Sequence, residues 1–216
     1  MANYQTKAFV AAAFSVSVAV GFSPLAWGQS SLPPNPAELI QALKAKGKTR
    51  GLRVPMTPAE TARAEKQKKL FEALRRKGTR GLSVEERETL PQVVGDRPSV
   101  DIEIYFDYNS AAITSKAKPA LASLGRALRD RELKGQSFLL AGHTDAKGGN
   151  EYNQSLSERR ALAVKTYLMK NYDVPDFELF AIGYGEDQLK MPGEPYAAEN
   201  RRVQVVNMGE SVASND

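Results

Sequence analysis

The pattern of apolar and polar positions changes at residue 100. Four apolar residues then occupy every second position, which is the period of a half-buried β-strand: Val100, Ile102, Ile104 and Phe106. Residues 115–130 follow with four apolar residues at helical spacing, which predicts a helix with one buried face: Ala117, Leu121, Leu124 and Leu128. A folded domain is therefore predicted to begin near residue 98.

A second strand and helix are predicted after this helix. The apolar run at 138–141 predicts a short buried strand. Ser155 and Glu158 fit a capping box, which would place Arg159 and Arg160 in the first turn of the next helix. Five residues of that helix are predicted to face inward: Leu156, Ala163, Val164, Tyr167 and Leu168.

Two further strands complete the pattern, at 177–182 and 202–206. The order strand-helix-strand-helix-strand-strand predicts an α/β fold, an α+β sandwich with a mixed sheet. Strands joined by crossover helices are expected to be parallel, and the last strand is expected to return antiparallel. The predicted domain spans residues 98–208, and a polar tail follows at 209–216.

The first 28 residues have the pattern of a secretory signal peptide. Lys7 is the only charge before residue 38, an apolar stretch follows it, and Ala26 and Gly28 supply small residues at the end. This pattern predicts export and cleavage after Gly28, although about 20 apolar residues could instead stay as a membrane anchor. In either case the rest of the chain is predicted to be exported.

Residues 29–97 are predicted to form a basic, partly helical linker. Residues 29–99 carry 15 Lys and Arg against 8 Asp and Glu, whereas residues 100–216 carry 14 against 17. A weak duplication relates 39–52 to 70–82, each copy a short amphipathic helix that ends at Gly. Two interpretations are open: a solvated spacer, or a docking element for anionic envelope components or envelope proteins.

The chemistry concentrates in residues 142–160. If the first two strands are parallel, their carboxyl ends and the start of the second helix share one edge of the sheet, where such folds bind ligands. Asn109, Asp145 and Arg160 are then expected to converge. A carboxylate facing a guanidinium suits a ligand with an ammonium and a carboxylate of its own, which is an amino-acid head group.

Five motifs in order resemble the OmpA-like C-terminal domain family over about residues 98–208. They are Phe-Asp-Tyr-Asn-Ser at 106–110, Gly-His-Thr-Asp at 142–145, Tyr-Asn-Gln-Ser-Leu-Ser-Glu-Arg-Arg-Ala at 152–161, Gly-Tyr-Gly-Glu at 183–186 and Asn-Arg-Arg-Val at 200–203. The family binds peptidoglycan, so the resemblance implies a non-enzymatic protein that links the envelope to the cell wall. Together with the predicted export, it implies a location in the periplasm or outer membrane of a Gram-negative cell. It also implies that Asp145 and Arg160 hold the meso-diaminopimelate of the peptide stem.

Further ligand contacts are predicted from Asp107, Asn109, Thr144 and Arg202, with Asn153 and Leu156 shaping the loop and the wall of the site. Asp107 and Asn109 could instead be turn residues. Arg201 and Arg202 alternate across a strand start, so at most one of them faces the site. The sequence leaves open which of the two it is.

Other functions fit the sequence less well. The chain has no cysteine, which excludes disulfides, thiolate metal sites and a lipid on an N-terminal cysteine. His143 has no second His or Cys to share a metal, no hydrolase motif is present, and no cofactor is predicted. Export and the lack of interleaved aromatic residues disfavour nucleic acid as a partner. The alternative is a membrane-anchored stator- or transport-type accessory subunit, which needs an intramembrane acid that residues 8–28 lack.

Overall fold

The computed structural model describes residues 33–44, 57–77, 79, 82–95, 97–107 and 109–210. The predicted signal peptide, residues 46–52 of the first duplicated copy and residues 211–216 of the polar tail lie outside this part of the chain. The described residues form five α-helices and four strands: α1 Pro36–Leu43, α2 Pro58–Lys77, α3 Val84–Val94, β1 Ser99–Ile102, α4 Lys118–Leu128, β2 Gln136–Gly142, α5 Asn150–Tyr172, β3 Leu179–Gly183 and β4 Val203–Glu210.

The strands form one mixed sheet in the order β1-β4-β2-β3. Strand β2 pairs parallel with β3, and β4 pairs antiparallel with both β1 and β2. Strands β1, β2 and β3 therefore all point the same way, although β4 separates β1 from β2. The predicted fold class and element order are confirmed, and so is the antiparallel return of the last strand.

One face of the sheet packs against α1, α4 and α5. The four predicted inward residues of α4 are completely or almost completely buried there, because the helical period holds them on one side: Ala117, Leu121, Leu124 and Leu128. The alternating residues from Val100 to Phe106 lie in or against the same core. Strand β1 and its hydrogen bonds to β4 end at Ile102, but the alternation of apolar residues continues to Phe106.

The other face of the sheet packs against α2 and α3. Leu74 and Leu90 are 1 % and 0 % exposed in this second core, together with Leu139 of β2 and Val206 of β4. On the first face, Leu43 of α1 is 0 % exposed. A solvated spacer therefore does not describe these helices, because the two duplicated copies supply apolar residues to opposite faces of the sheet.

The second helix of the predicted domain starts earlier than the sequence pattern indicates. The predicted capping box at Ser155 is wrong, because α5 begins five residues earlier at Asn150. Arg160 is therefore about three turns into the helix, roughly 15 Å from its first residue. The capping box lies instead at α3, where Glu86 N donates to Ser83 Oγ at 3.2 Å and Ser83 N donates to Glu86 Oε2 at 2.8 Å.

Glycines at the ends of β2 and β3 let α5 approach the sheet closely. A Cβ at Gly142 would lie 2.3 Å from the carbonyl oxygen of Ser157, and one at Gly183 would lie 2.3 Å from Ser157 Oγ. Ser157 also accepts a hydrogen bond from Gly185 N at 2.9 Å. Any side chain at Gly142 or Gly183 would push α5 away from the sheet.

No helix among the described residues combines the length and the apolar content needed to cross a bilayer.

Replacement of Gly183 tests this close packing. Gly183→Ala should lower the free energy of unfolding by about 1–3 kcal/mol, because the added methyl group overpacks the contact with α5. Urea unfolding followed by circular dichroism measures the change. Gly193→Ala is the matched control, since a Cβ there meets no atom within 4 Å, and it should stay within about 0.5 kcal/mol of the parent chain. Equal stability of the two variants would contradict the packing argument.

Candidate functional site

Four chain segments meet at one edge of the sheet. Strands β1, β2 and β3 end at this edge, and β4 begins there, because β4 is antiparallel to its neighbours. Two backbone hydrogen bonds tie the segments together, from Thr144 N to Gly185 O at 2.8 Å and from Ala146 N to Pro195 O at 2.9 Å. The edge therefore holds the loops in a fixed arrangement around the end of β2.

Asp145 lies in the middle of this edge. Its side chain is largely buried, and Oδ2 accepts a hydrogen bond from Arg201 Nη1 at 2.7 Å. The second oxygen, Oδ1, accepts only a longer bond of 3.3 Å from the backbone N of Lys147. One oxygen of the carboxylate is thus paired with a cation, and the other is the less committed acceptor.

Arg160 lies on the buried stripe of α5 and is 8 % exposed. Its Nε donates to Ser110 O at 3.1 Å, its Nη2 donates to Asp107 O at 3.5 Å, and its guanidinium lies 4.9 Å from the centre of the Phe106 ring. These contacts fix the orientation of the guanidinium. Within the described part of the chain, no carboxylate accepts a hydrogen bond from it.

Burial and the neighbouring side chains both change the pKa of Arg160. Burial is the largest influence and lowers the pKa of Arg160; Tyr152 and then Asp145 raise it, and Arg201 and Arg159 lower it. The effect of Asp145 reaches Arg160 because both side chains lie at the same edge. Arg160 is thus a buried cation held by backbone carbonyls, and the nearby carboxylate of Asp145 is already paired with Arg201. This edge can therefore accept an anionic group.

Asp107 and Asn109 both have turn roles. The backbone oxygen of Asp107 accepts from Ser110 N at 3.1 Å as well as from Arg160, and its side chain is exposed. Asn109 has a left-handed backbone with φ of 52°, and its Oδ1 accepts from the hydroxyl of Tyr152 at 2.6 Å. The turn interpretation accounts for both positions, and ligand contact by their side chains stays a prediction.

Asn153, Leu156 and Thr144 are buried beneath the site. Asn153 Nδ2 donates to the backbone oxygen of Asp145 at 3.3 Å and also to Glu186 Oε2. These bonds connect α5 to the loops after β2 and β3. The positions of Asn153 and Leu156 agree with a supporting role for the loop and wall of the site.

Arg202 lies away from Asp145, and Arg201 takes the position beside it. Arg202 Nε donates to Asp101 Oδ1 at 3.2 Å, and its Nη atoms approach the carbonyl oxygen of Gln188 at 3.3 and 3.4 Å. Consecutive residues at a strand start face opposite sides of the sheet. Arg201 therefore contacts Asp145, whereas Arg202 contacts Asp101. The sequence revealed the alternation but did not tell which arginine belonged to which side.

His143 has a structural position. It is 2 % exposed, and its ring packs 5.5 Å from the ring of Tyr184. Burial, assisted by the charge of Arg202, lowers the pKa of His143 to about 3. No cluster of potential metal ligands was found among the residues that the structure describes.

Residues 105–204 match the model of the OmpA family. The chain is 38% identical over 103 residues to the peptidoglycan-associated lipoprotein of Pseudomonas aeruginosa, a match that covers 47% of this chain and 59% of the relative. It is 33% identical over 110 residues to outer membrane porin F of the same species, covering 49% of this chain and 30% of the porin.

Solved structures with similar domains include the peptidoglycan-associated lipoprotein of Burkholderia pseudomallei. That protein is 29% identical, with a TM-score of 0.42, and the match covers 52% of this chain and 91% of that one. The OmpA-like domain of FopA1 from Francisella tularensis is 26% identical, with a TM-score of 0.44, over 54% and 77% of the two chains. The chain spans about three fifths of the length of the first two curated relatives.

The buried histidine predicts a specific pH dependence of stability. Because the pKa of His143 is lower in the folded chain than in the unfolded chain, unfolding takes up a proton below about pH 6.5. The free energy of unfolding should therefore fall as the pH decreases from 6.5 towards 3, by up to about 1.4 kcal/mol per pH unit from this residue alone. Urea unfolding between pH 4.5 and 7 measures the slope.

His143→Gln supplies the control, because carboxylates elsewhere titrate equally in both proteins. The variant should have a shallower slope than the parent chain, whatever its absolute stability. Parallel slopes would mean that His143 is not held neutral by burial.

Proposed function

We propose that this protein binds peptidoglycan non-covalently in the cell envelope, through the diaminopimelate of the peptide stem. The observation that carries the proposal is the pair of charges at the sheet edge. Asp145 offers a carboxylate oxygen, and Arg160 offers a buried guanidinium with no carboxylate partner among the described residues. The OmpA-family domain and a relative named as peptidoglycan-associated support the same conclusion.

The free ammonium and carboxylate of diaminopimelate match these two groups. The ammonium would donate to Asp145 Oδ1, because Oδ2 is already paired with Arg201 at 2.7 Å. The carboxylate would accept from the free N–H groups of Arg160, whose planar fork suits two parallel hydrogen bonds. Arg201 stays beside the ligand and limits the negative charge that Asp145 presents.

The expected affinity of one site is modest. Hydrogen bonds to charged groups contribute about 1.5–3 kcal/mol each, and binding also costs rotational and translational freedom. A cell wall repeats the same stem many times, so several copies held near it could be retained by multivalency. The proposed role is therefore attachment of the envelope to the wall and not tight capture of a soluble ligand.

The proposed binding involves no catalysis. The side chains at the edge form ion pairs and hydrogen bonds with each other and with backbone groups, and His143 is buried away as a neutral ring. The arrangement supports recognition of a charged group, and we therefore infer a non-enzymatic protein. The stator-type alternative shares this site, and it stays a separate prediction about residues outside the described ranges.

Conservative variants of the two charged residues test the clamp. Asp145→Asn and Arg160→Lys should each weaken binding of a diaminopimelate stem peptide by about 10- to 100-fold, since each loses a charge-assisted hydrogen bond. Arg160→Lys is preferred to alanine because Arg160 is only 8 % exposed, and lysine fills most of the space while losing the fork. Calorimetric titration measures the affinity, and circular dichroism reports the fold.

Arg159→Lys is the matched control for the second variant. Arg159 is the neighbouring arginine on α5, is exposed, and donates to Ser155 Oγ at 2.9 Å. It should bind the peptide like the parent chain. Undiminished binding by both site variants would refute the clamp, and a loss confined to Arg159→Lys would assign the ligand to a different face of α5.

The basic helices are proposed to add a salt-sensitive attachment to anionic envelope components. Three lysines are exposed on α2: Lys66, Lys68 and Lys69. Clustered positive charges attract an anionic surface over a distance that becomes shorter as the salt concentration rises. The triple Glu variant at these positions should bind vesicles that contain phosphatidylglycerol several-fold more weakly at low salt, and equally at high salt. Co-sedimentation with the vesicles measures this difference.

An equal number of reversals on exposed lysines of the OmpA-family domain is the control: Lys116→Glu, Lys118→Glu and Lys134→Glu. If the control set weakens vesicle binding as much as the α2 set, the net charge of the protein determines vesicle binding, and the position of the lysines on α2 does not. A protein partner for residues 29–97 is the other proposed role, and it is supported if envelope binding survives in the α2 variant.

A further inference from the structure

Arg201 is the half-exposed cation at the edge of the sheet that holds Asp145. Its Nη1 donates to Asp145 Oδ2 at 2.7 Å, and 46 % of its side chain is exposed, against 10 % of the side chain of Asp145. No other hydrogen bond of this guanidinium is found among the described residues. The bond to Asp145 uses only one of the N–H groups that a guanidinium carries, so most of the donor capacity of Arg201 faces solvent.

The unused N–H groups of Arg201 form a complete fork. In a planar guanidinium, the N–H groups of Nε and Nη2 point in the same direction and match the two oxygens of a carboxylate. In Arg160 these two atoms donate to Ser110 O and Asp107 O, which leaves the edge formed by the Nη atoms for diaminopimelate. Arg201 therefore presents to solvent the pair of donors that Arg160 uses to bind its own backbone.

Hydrogen bonds within the protein fix the backbone that carries Arg201. Asn200 is 0 % exposed, and its side chain makes three hydrogen bonds to the backbone of residues 191–195. Pro195 O also accepts from Ala146 N at 2.9 Å, so the loop before Arg201 is joined to the loop after β2. A donor on such a constrained backbone has less freedom to lose when a ligand binds.

The two arginines carry more positive charge than a diaminopimelate head group can balance. Asp145 is paired with Arg201, and no carboxylate pairs with Arg160 in the described part of the chain. These three side chains have one excess positive charge, and a zwitterion leaves that excess unchanged. Burial is the main cause of the lowered pKa of Arg160, and the charge of Arg201 contributes to it, so the two cations act on each other. A second anionic group would relieve this repulsion.

We propose that Nε and Nη2 of Arg201 bind a second carboxylate of the peptidoglycan stem, in addition to the one that Arg160 binds. The inference rests on the proposed function, because diaminopimelate held by Asp145 and Arg160 would bring the neighbouring stem residues to Arg201. A stem of L-alanine, γ-linked D-glutamate, diaminopimelate and D-alanine offers two such groups. One is the free α-carboxylate of the glutamate, and the other is the carboxyl terminus, and each belongs to a residue next to diaminopimelate.

Amidation of one carboxylate at a time tests this inference. Three forms of the stem tetrapeptide are titrated into the full chain by calorimetry: the parent peptide, a form with D-isoglutamine, and a form with a carboxyl-terminal amide. At least one amidated form should bind about five- to tenfold more weakly than the parent, because a half-exposed charged hydrogen bond contributes less than a buried one. The form that loses affinity identifies the carboxylate that Arg201 binds.

Arg201→Gln completes a double-mutant cycle with these peptides. Amidation should have no effect on binding to this variant, because the fork is absent, whatever the substitution does to the ammonium site at Asp145. Arg159→Gln is the matched control, since it removes an exposed guanidinium that also acts on Arg160. The control should keep the full amidation effect, and circular dichroism reports the fold of both variants.

The outcomes separate this inference from the proposed function. Undiminished binding of both amidated peptides, or an equal amidation effect in the parent chain and in Arg201→Gln, would overturn the inference and leave the proposed function standing. Loss of the effect in Arg159→Gln as well would also overturn it, because overall positive charge would then attract the carboxylate. Failure of the parent peptide to bind the parent chain would refute the proposed function and this inference with it.

Discussion

The close contact between α5 and the ends of β2 and β3 determines most of this structure. Gly142 and Gly183 leave no Cβ between the strands and the helix, so Ser157 can contact both strand ends. The same contact sets the depth of α5 against the sheet and places Arg160 on its buried stripe. The position of the arginine relative to Asp145 is therefore a consequence of two missing methyl groups and not of the charges themselves.

The charges at the edge are stabilised by contacts within the protein, and the proposed ligand would add to these contacts. Asp145 has a strong partner in Arg201 through one oxygen, and Arg160 is held by carbonyl oxygens and the ring of Phe106. Neither ion is left isolated in a buried position, which would cost far more than these contacts return. In the proposed complex, a zwitterionic head group would bind without breaking these contacts.

Much of the fold was predictable because the apolar periods of the strands and of α4 are strong and local. The first and last residues of the elements were less predictable. Helix α5 begins at Asn150, because a glycine can precede a helix without a side-chain cap, whereas the capping-box pattern at Ser155 predicted a later start. The capping box at Ser83 has the same Ser-to-Glu spacing, but it lies in a segment whose composition is typical of a linker.

The placement of Asp145 and Arg160 at one edge could be predicted from the sequence, whereas the residues that support them could not, and their role in binding stays a prediction. Motif spacing pointed to Asp145 and Arg160, because strand ends and a helix at one edge bring them together. The pairing of Arg201 with Asp145 depends on the twist and register of β4, which alternation alone does not fix. Packing of α2 and α3 on the second face depends on a long-range contact that short apolar runs do not specify.

The most direct test of the central claim compares two stem peptides that differ in one carboxylate. One carries meso-diaminopimelate, and the other carries L-lysine, which keeps the ammonium and lacks the carboxylate assigned to Arg160. Calorimetric titration of the full chain should give an affinity about 10- to 100-fold higher for the diaminopimelate peptide, the equivalent of one charged hydrogen-bonding group. Equal affinities for the two peptides would contradict the account, because Arg160 would then not bind the second carboxylate of diaminopimelate.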